Sequence, residues 1–295
     1  MATSDLINAG INRELSDATP RRVSVIRPPS LTRLNFIANL TKLFHYRDLL
    51  YTLTLHRIKV RYKQSLLGIS WAILQPLSMM LIFTIIFSIF ARMPSEGSPY
   101  ALFAYAALLP WTFFSTALAN ATNALVSHTQ LVTKVYFPRE ILPMTYVFAS
   151  LFDFLIASTV LAGLMVYYRL SPTWNALYAV PILFILTCFA TAMGLLFSAT
   201  QVRLRDIGVA VPLLLQLWMF ATPVIYPLSA VPGRLRMIYV LNPMVGIVEN
   251  FRQTILNGAS PDFYTLGISG LMALVLLIIS YLYFKHTEAT MADVI

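Results

Sequence analysis

Long apolar runs, each closed by polar or charged residues, dominate the chain after residue 70. The first, Trp71 to Ala91, holds no charged residue until Arg92. Twenty-one helical residues at about 1.5 Å each match a hydrocarbon core of roughly 30 Å. Further runs at about 100–124, 141–167, 176–200, 207–226 and 264–284 meet the same length. The pattern therefore predicts an all-α membrane protein with six transmembrane helices, the third and fifth bent by Pro143 and Pro223. Ahead of the first run, residues 42–63 alternate with a helical period. Leu43, Tyr46, Leu49, Leu50 and Leu53 fall on one side, with His45, Asp48, Thr52, His56, Lys59 and Lys63 opposite. That arrangement predicts an N-terminal amphipathic helix lying in the membrane interface. Arg57 and Arg61 interrupt its apolar side and are expected to snorkel to headgroups. Trp71 stands where an interfacial aromatic belongs. Gln75 and Pro76, a polar residue and a helix breaker in the first turns of a span, point to contact with protein rather than lipid.

Between the fifth and sixth runs, residues 223–263 are apolar but broken by Pro223, Pro227, Pro232 and Pro243. Within them, Asn242 suits a helix N-cap, Pro243 the first helical position and Gly258 a stop. Met244, Val248, Phe251 and Ile255 share one face. About 14 residues are too few to cross a bilayer, and Glu249 and Arg252 are costly in lipid. The stretch predicts short re-entrant outer helices packed on protein; the plainer alternative is a covered outer loop.

Composition agrees with the pattern. The 295 residues are 58% apolar and 11% charged, with a mean hydropathy of +0.72, where a soluble domain carries about 25% charge. The net charge of +9 follows membrane orientation rather than nucleic-acid binding. With the N-terminus inside, sixteen Lys and Arg fall on cytoplasmic segments and five on outer ones, so both termini are expected in the cytoplasm. Eleven of the sixteen precede residue 71, and the remaining loops do not discriminate. The organisation read from this is a flexible cytoplasmic tail at 1–41, the interface helix at 42–63, a six-span domain at 64–285 and a cytoplasmic C-terminal tail at 286–295.

The chain is poor in reactive chemistry. No P-loop, nucleophile elbow, His-Glu-x-x-His or Cys-x-x-Cys occurs. The four histidines are scattered and Cys188 is alone, so neither a metal site nor a disulfide within the chain is expected. Asp153 is the only acid well inside a span. One carboxylate is no proton relay; it serves either as a structural hydrogen-bond partner or on a substrate path. A membrane enzyme acting on lipid-linked sugars would need a cluster of acids or histidines, and a secondary transporter would need coupling-ion ligands or an inverted repeat. Neither is legible. If the chain moves a solute actively, the energy comes from another subunit. The inside segment 127–140, SHTQLVTKVYFPRE, is the candidate connection, read either as a short coupling helix or as an ordinary positively charged loop.

Four pieces carry a family resemblance. RYKQSLLGISWAILQPL (61–77) resembles the opening of type-2 ABC-exporter permeases. LLPWTFFSTAL (108–118), LVTKVYFPREILP (131–143) and LNPMVGIVENFR (241–252) resemble the branch exporting O-antigen, capsule and teichoic acid. The pieces occur in the expected order across about residues 45–285, while the N-terminal tail is longer than the family pattern. The resemblance implies a homodimer paired with two ATP-binding-cassette ATPase subunits in the bacterial inner membrane, moving a lipid-linked polysaccharide of O-antigen type, or alternatively a capsular polymer or teichoic acid. ATP and Mg would be bound by the partner and not by this chain, which is then no enzyme. Lys134, Tyr136, Arg139 and Glu140 fall on the implied coupling helix.

The second run is rich in rings, and sugars slide over aromatic faces without specific polar grip. Tyr100, Phe103, Trp111 and Phe114 share a helical face and are candidate channel-lining residues; the alternative is an interfacial aromatic belt. Tyr105 and Phe113 point elsewhere, Phe113 toward lipid.

Overall fold

The computed structural model describes residues 44–63, 65 and 67–294. Residues 1–41, assigned above to a tail, and Leu43 of the interface helix lie outside the described residues. Among the described residues every regular element is helical, as the runs predict.

Helix α1 (Arg47–Lys63) presents Tyr46, Leu49, Leu50 and Leu53, at or just before its start, to the core, while His45, Asp48, Thr52, His56, Lys59 and Lys63 are exposed. The helical wheel is thus realised in packing: the apolar side leans on the third span. The first span comprises α2 (Trp71–Phe83) and a wider π-helical stretch, Thr84–Phe90. It is followed by α3 (Tyr100–Thr122), the short α4 (Ala124–Ser127) and α5 (Thr129–Lys134), α6 (Ile141–Tyr167) and α7 (Ala179–Arg203). Next come α8 (Ile207–Phe220), α9 (Gly233–Val240), α10 (Pro243–Arg252, continued as a π-helical turn Gln253–Asn257) and α11 (Phe263–Val294).

Helix α3 is the centre of the packing. It touches α2, α6, α7, α8 and α10, and every residue from Leu102 to Leu109 is at most 1% exposed. The local sequence explains this. Ala104, Ala106, Ala107, Ala117 and Ala121 keep the helix thin, and small residues let neighbouring backbones approach. At Gly194 of α7 a Cβ would stand 3.0 Å from the Ala121 Cβ, so the α3–α7 contact is set by two of the smallest residues.

Among the described residues five segments are long and apolar enough to cross a membrane: Gly68–Phe90, Tyr100–Thr122, Ile141–Tyr167, Trp174–Arg203 and Phe263–Glu288. The fifth expected run, 207–226, is only partly helical. Helix α8 holds 14 residues, about 21 Å, and ends before Thr222 and Pro223. Apolar composition carried the sequence reading through a turn. Pro223 therefore ends no span by bending it, and Pro143 lies in the first turn of α6, where proline is tolerated. The last span also continues helical through Val294.

The outer region is tied down by side-chain amides. Asn242 caps α10 by accepting from the Met244 N–H at 3.1 Å, as its position suggests. The same oxygen accepts from the Trp218 ring N–H at 3.0 Å, and its amide donates to Thr222 at 3.1 Å, stitching the end of α8 to α10. Asn250 donates to Thr265 Oγ1 at 3.1 Å and accepts from the Asp262 N–H at 2.6 Å, which fixes α10 on the start of α11. Gly246 is required there: a Cβ would fall 2.3 Å from Ser269 Oγ and 2.8 Å from the Thr265 carbonyl. Gly258 supplies the expected stop with φ +60°. All ten residues of α10 are buried, so the helix packs on protein on every side and not only along the Met244–Val248–Phe251 face.

Candidate functional site

The segment 127–140, between the second and third spans, divides into an exposed and a buried part. Helix α5 occupies its first half. Lys134 and Tyr136 then face out, Tyr136 being 79% exposed, while Phe137 turns inward. Arg139 and Glu140 do not join them. Glu140 is 1% exposed, and its carboxylate accepts from Lys285 Nζ at 2.7 Å. The Arg139 backbone N–H donates to Glu288 Oε1 at 3.2 Å, and its guanidinium donates to the Glu288 carbonyl at 2.5 Å. Lys285 also pairs with Glu288 Oε2 at 2.9 Å. Burial pushes the Glu140 carboxyl above its ordinary range, an effect the Lys285 ammonium partly offsets. Of the four expected coupling residues, the structure leaves Lys134 and Tyr136 available to a partner and commits Arg139 and Glu140 to the last helix. Lys285 and Glu288 are functional candidates that sequence reasoning missed; they lie 145 and 149 residues from their partners.

His128 opens α5 and sits against α6. Its Nε2 is 3.2 Å from Tyr146 Oη, and the Arg57 guanidinium lies over the Tyr146 ring at 4.2 Å. Burial, then the Arg57 charge, holds His128 below its ordinary pKa, so the neutral ring is favoured.

Asp153, near the middle of α6, has its partners on α1. Arg61 Nη1 stands 2.5 Å from Asp153 Oδ2, and the Tyr62 hydroxyl donates to Oδ1. Burial and the bond to Asp153 raise Tyr62 beyond the ordinary phenol range, which keeps it a donor. Arg57 and Arg61 therefore serve a tyrosine ring and a carboxylate within the fold, in place of the headgroup contacts expected from their stems. Beside Asp153 lies a small recess of about 30 Å³, lined by Arg61, Gln75, Thr112, Thr116 and Ser150 on one hand and by Phe113 and Phe154 on the other. That is room enough for an ordered water molecule. Ser150 Oγ is buried there with no hydrogen-bond partner among the described residues. Gln75 is exposed on α2 and reaches the rim, while Pro76 is buried.

The aromatic set of α3 is brought together, but inside the bundle. Tyr100, Phe103, Trp111 and Phe114 are 6, 1, 4 and 0% exposed. Phe114 stacks on Phe189 with centroids 5.1 Å apart and meets the Trp218 ring edge-on at 5.2 Å. Tyr100 donates to the Ile225 carbonyl at 2.8 Å. A passing polymer has no access to these rings in the packed protomer. Phe113 does not meet lipid: it is 3% exposed and packs edge-on against Phe154 at 5.9 Å. Tyr105, also buried, donates to the Ala157 carbonyl at 2.9 Å. Because the first half of α3 is buried all round and its second half leaves only Thr112, Ser115, Thr116, Ala119 and Asn120 part-exposed, the helical wheel could group its rings but could not show that they are turned inward.

The outer end holds a second buried ion pair. Arg252 bonds Glu249, donates to the Pro223 carbonyl at 3.2 Å and lies 3.9 Å over the Phe103 ring. Among the described residues no group of three or more His, Cys, Asp or Glu could hold a metal.

Comparison with known proteins places this geometry. Residues 48–256 match the family model described as ABC-2 type transporter. The chain is 31% identical over 238 residues to the O-antigen export system permease protein RfbA of Myxococcus xanthus, covering 80% of this chain and 91% of that one. It is 27% identical over 249 residues to the protein of the same name from Klebsiella pneumoniae, covering 84% and 95%.

Proposed function

Because the chain belongs to the ABC-2 type transporter family, we propose that it is the permease subunit of an ATP-driven exporter carrying a lipid-linked, O-antigen-like polysaccharide across the bacterial inner membrane. The names of the two relatives favour O-antigen over capsule or teichoic acid. The observation that carries an external energy source is the state of the acids. Glu140, Asp153, Glu249 and Glu288, the acids of the packed helices that are not exposed among the described residues, are each held by a cation. A carboxylate already paired with a protein cation is a poorer site for a coupling ion, which weighs against a secondary transporter.

In this reading two copies pair with two ATPase subunits, and ATP and Mg belong to those subunits. Both termini face the cytoplasm, as the Lys and Arg asymmetry supports. Helix α8 with the turn that follows it forms the remaining crossing, and α9 and α10 dip into the outer leaflet. The first span and α8 expose Ile85, Ile89, Leu213 and Leu217, surfaces for lipid and the second copy. Tyr100, Phe103, Trp111 and Phe114 form the wall behind the path, uncovered for sugar only where neighbouring helices part.

The exposed stretch Lys134–Tyr136 is the ATPase contact. Tyr136→Ala removes no internal packing, so folding is expected to be unchanged. Loss of one exposed aromatic anchor is expected to weaken ATPase association by about tenfold. Co-purification and titration of the ATPase check this; unchanged affinity and unchanged stimulated hydrolysis would reduce the segment to an ordinary loop.

A further inference from the structure

The C-terminal turns of α11, at and past the end of its candidate span, are firmly packed. Phe284, Thr287 and Met291 are 0–1% exposed, and their spacing makes one inward face. Beside that face the Lys285 ammonium pairs with the Glu140 and Glu288 carboxylates, and Arg139 joins them through its backbone N–H to Glu288 Oε1 and its guanidinium to the Glu288 main-chain carbonyl. Arg203, at the end of α7, adds a bond to Thr290 at 3.3 Å. The buried Glu140–Lys285–Glu288 group holds one geometry, because breaking a link strands a partly desolvated partner. At its other end α11 holds α10, with which residues 258–262 make a hairpin (the outer hairpin), through Asn250, Asp262, Thr265 and the close approach at Gly246. A helix of 32 residues is about 48 Å long and joins the two places directly.

We propose that Lys285 and Glu288 are positioning residues that clamp the segment 127–140 to α11, so that a thrust on Lys134–Tyr136 reaches the outer hairpin instead of being absorbed at 135–140. The proposal rests on the reading of that segment as the ATPase contact. Without the clamp, residues 135–140 would be a loop between two spans, and a push on α5 would bend it. With the clamp, α5, α11 and α10 move as one connected body.

The test needs no knowledge of the polymer. The complex of the full chain with its ATPase is reconstituted in liposomes, carrying Cys188→Ser and a single reporter cysteine, Ser260→Cys, on the exposed outer hairpin. The labelling rate by an impermeant maleimide is compared with and without ATP–vanadate trapping. In the otherwise unaltered chain, trapping is expected to change the rate on the order of fivefold. Lys285→Met and the isosteric Glu288→Gln are expected to abolish that change while ATP hydrolysis continues; Lys285→Arg, which keeps the charge, is expected to retain part of it. A nucleotide response that survives in both Lys285→Met and Glu288→Gln overturns the clamp. So does a rate that ignores nucleotide in the unaltered chain, or a loss of hydrolysis and response in strict proportion to folded protein. Failure of the underlying reading looks different: Tyr136→Ala would then leave ATPase binding, hydrolysis and the labelling response intact.

Discussion

Arg252→Met is expected to lower the stability of the detergent-solubilised chain by about 3–5 kcal/mol, the cost of stranding one partner of a buried ion pair. The guanidinium is fully inside the protein, with Arg252 1% exposed. Its removal leaves Glu249 with only the Gln253 amide at 3.0 Å, takes the donor from the Pro223 carbonyl and takes the cation from the Phe103 ring. Arg252→Lys is expected to fall between, since an ammonium cannot reproduce the planar fork that serves carboxylate, carbonyl and ring at once. The double variant Arg252→Met with Glu249→Leu is expected to be more stable than Arg252→Met alone, because no orphaned charge remains. Thermal unfolding of the four proteins followed by tryptophan fluorescence checks this. An Arg252→Met protein that melts with the unaltered chain would show that the pair contributes nothing to anchoring α10.

Asp153→Leu is expected to cost about 1–3 kcal/mol, mainly through the unpaired Tyr62 hydroxyl and Arg61 guanidinium. The lower part of that range is expected, because the Arg61 side chain is 40% exposed and can find water or a headgroup instead. Asp153→Asn keeps hydrogen-bonding capacity toward Tyr62 and is expected to be mild. The informative readout is local: proteolytic release of residues before 64, which reports whether α1 stays on α6. Equal protection in Asp153→Leu and the unaltered chain would mean that apolar packing of Leu49, Leu50 and Leu53 holds α1 unaided.

The two ion pairs show what the sequence could and could not convey. Spans were legible because a twenty-residue apolar run has few other uses, and the N-cap and stop of the outer helix were legible because Asn242, Pro243 and Gly258 act locally. Asp153 announced a need for a partner. Arg57 and Arg61, four residues apart on an apolar helix face, were the available signal for that partner, and reading them as headgroup contacts missed it. Lys285 gave no local sign of its role, since the last positive charge after a span also fits simple membrane orientation. The unbroken apolar run Ala101–Leu109, with alanines at 104, 106 and 107, was the sign that the first half of α3 is buried all round, while Thr112, Ser115, Thr116 and Asn120 mark the part-exposed stripe of its second half. Its rings had been read as a surface because spacing alone groups residues without saying what covers them. The end of α8 was lost for a related reason: Ala221–Tyr226 is apolar enough to continue a span, and only its turn chemistry at Thr222 and Pro223 separates it.

The most direct measurement follows the lipid-linked polysaccharide in cells lacking this chain. The account predicts that completed polymer accumulates on the cytoplasmic face and disappears from the cell surface. Reintroducing the chain is predicted to restore surface display only alongside an ATPase partner able to hydrolyse ATP. Surface display that persists without the chain, or that the chain restores with a hydrolysis-dead partner, would contradict it.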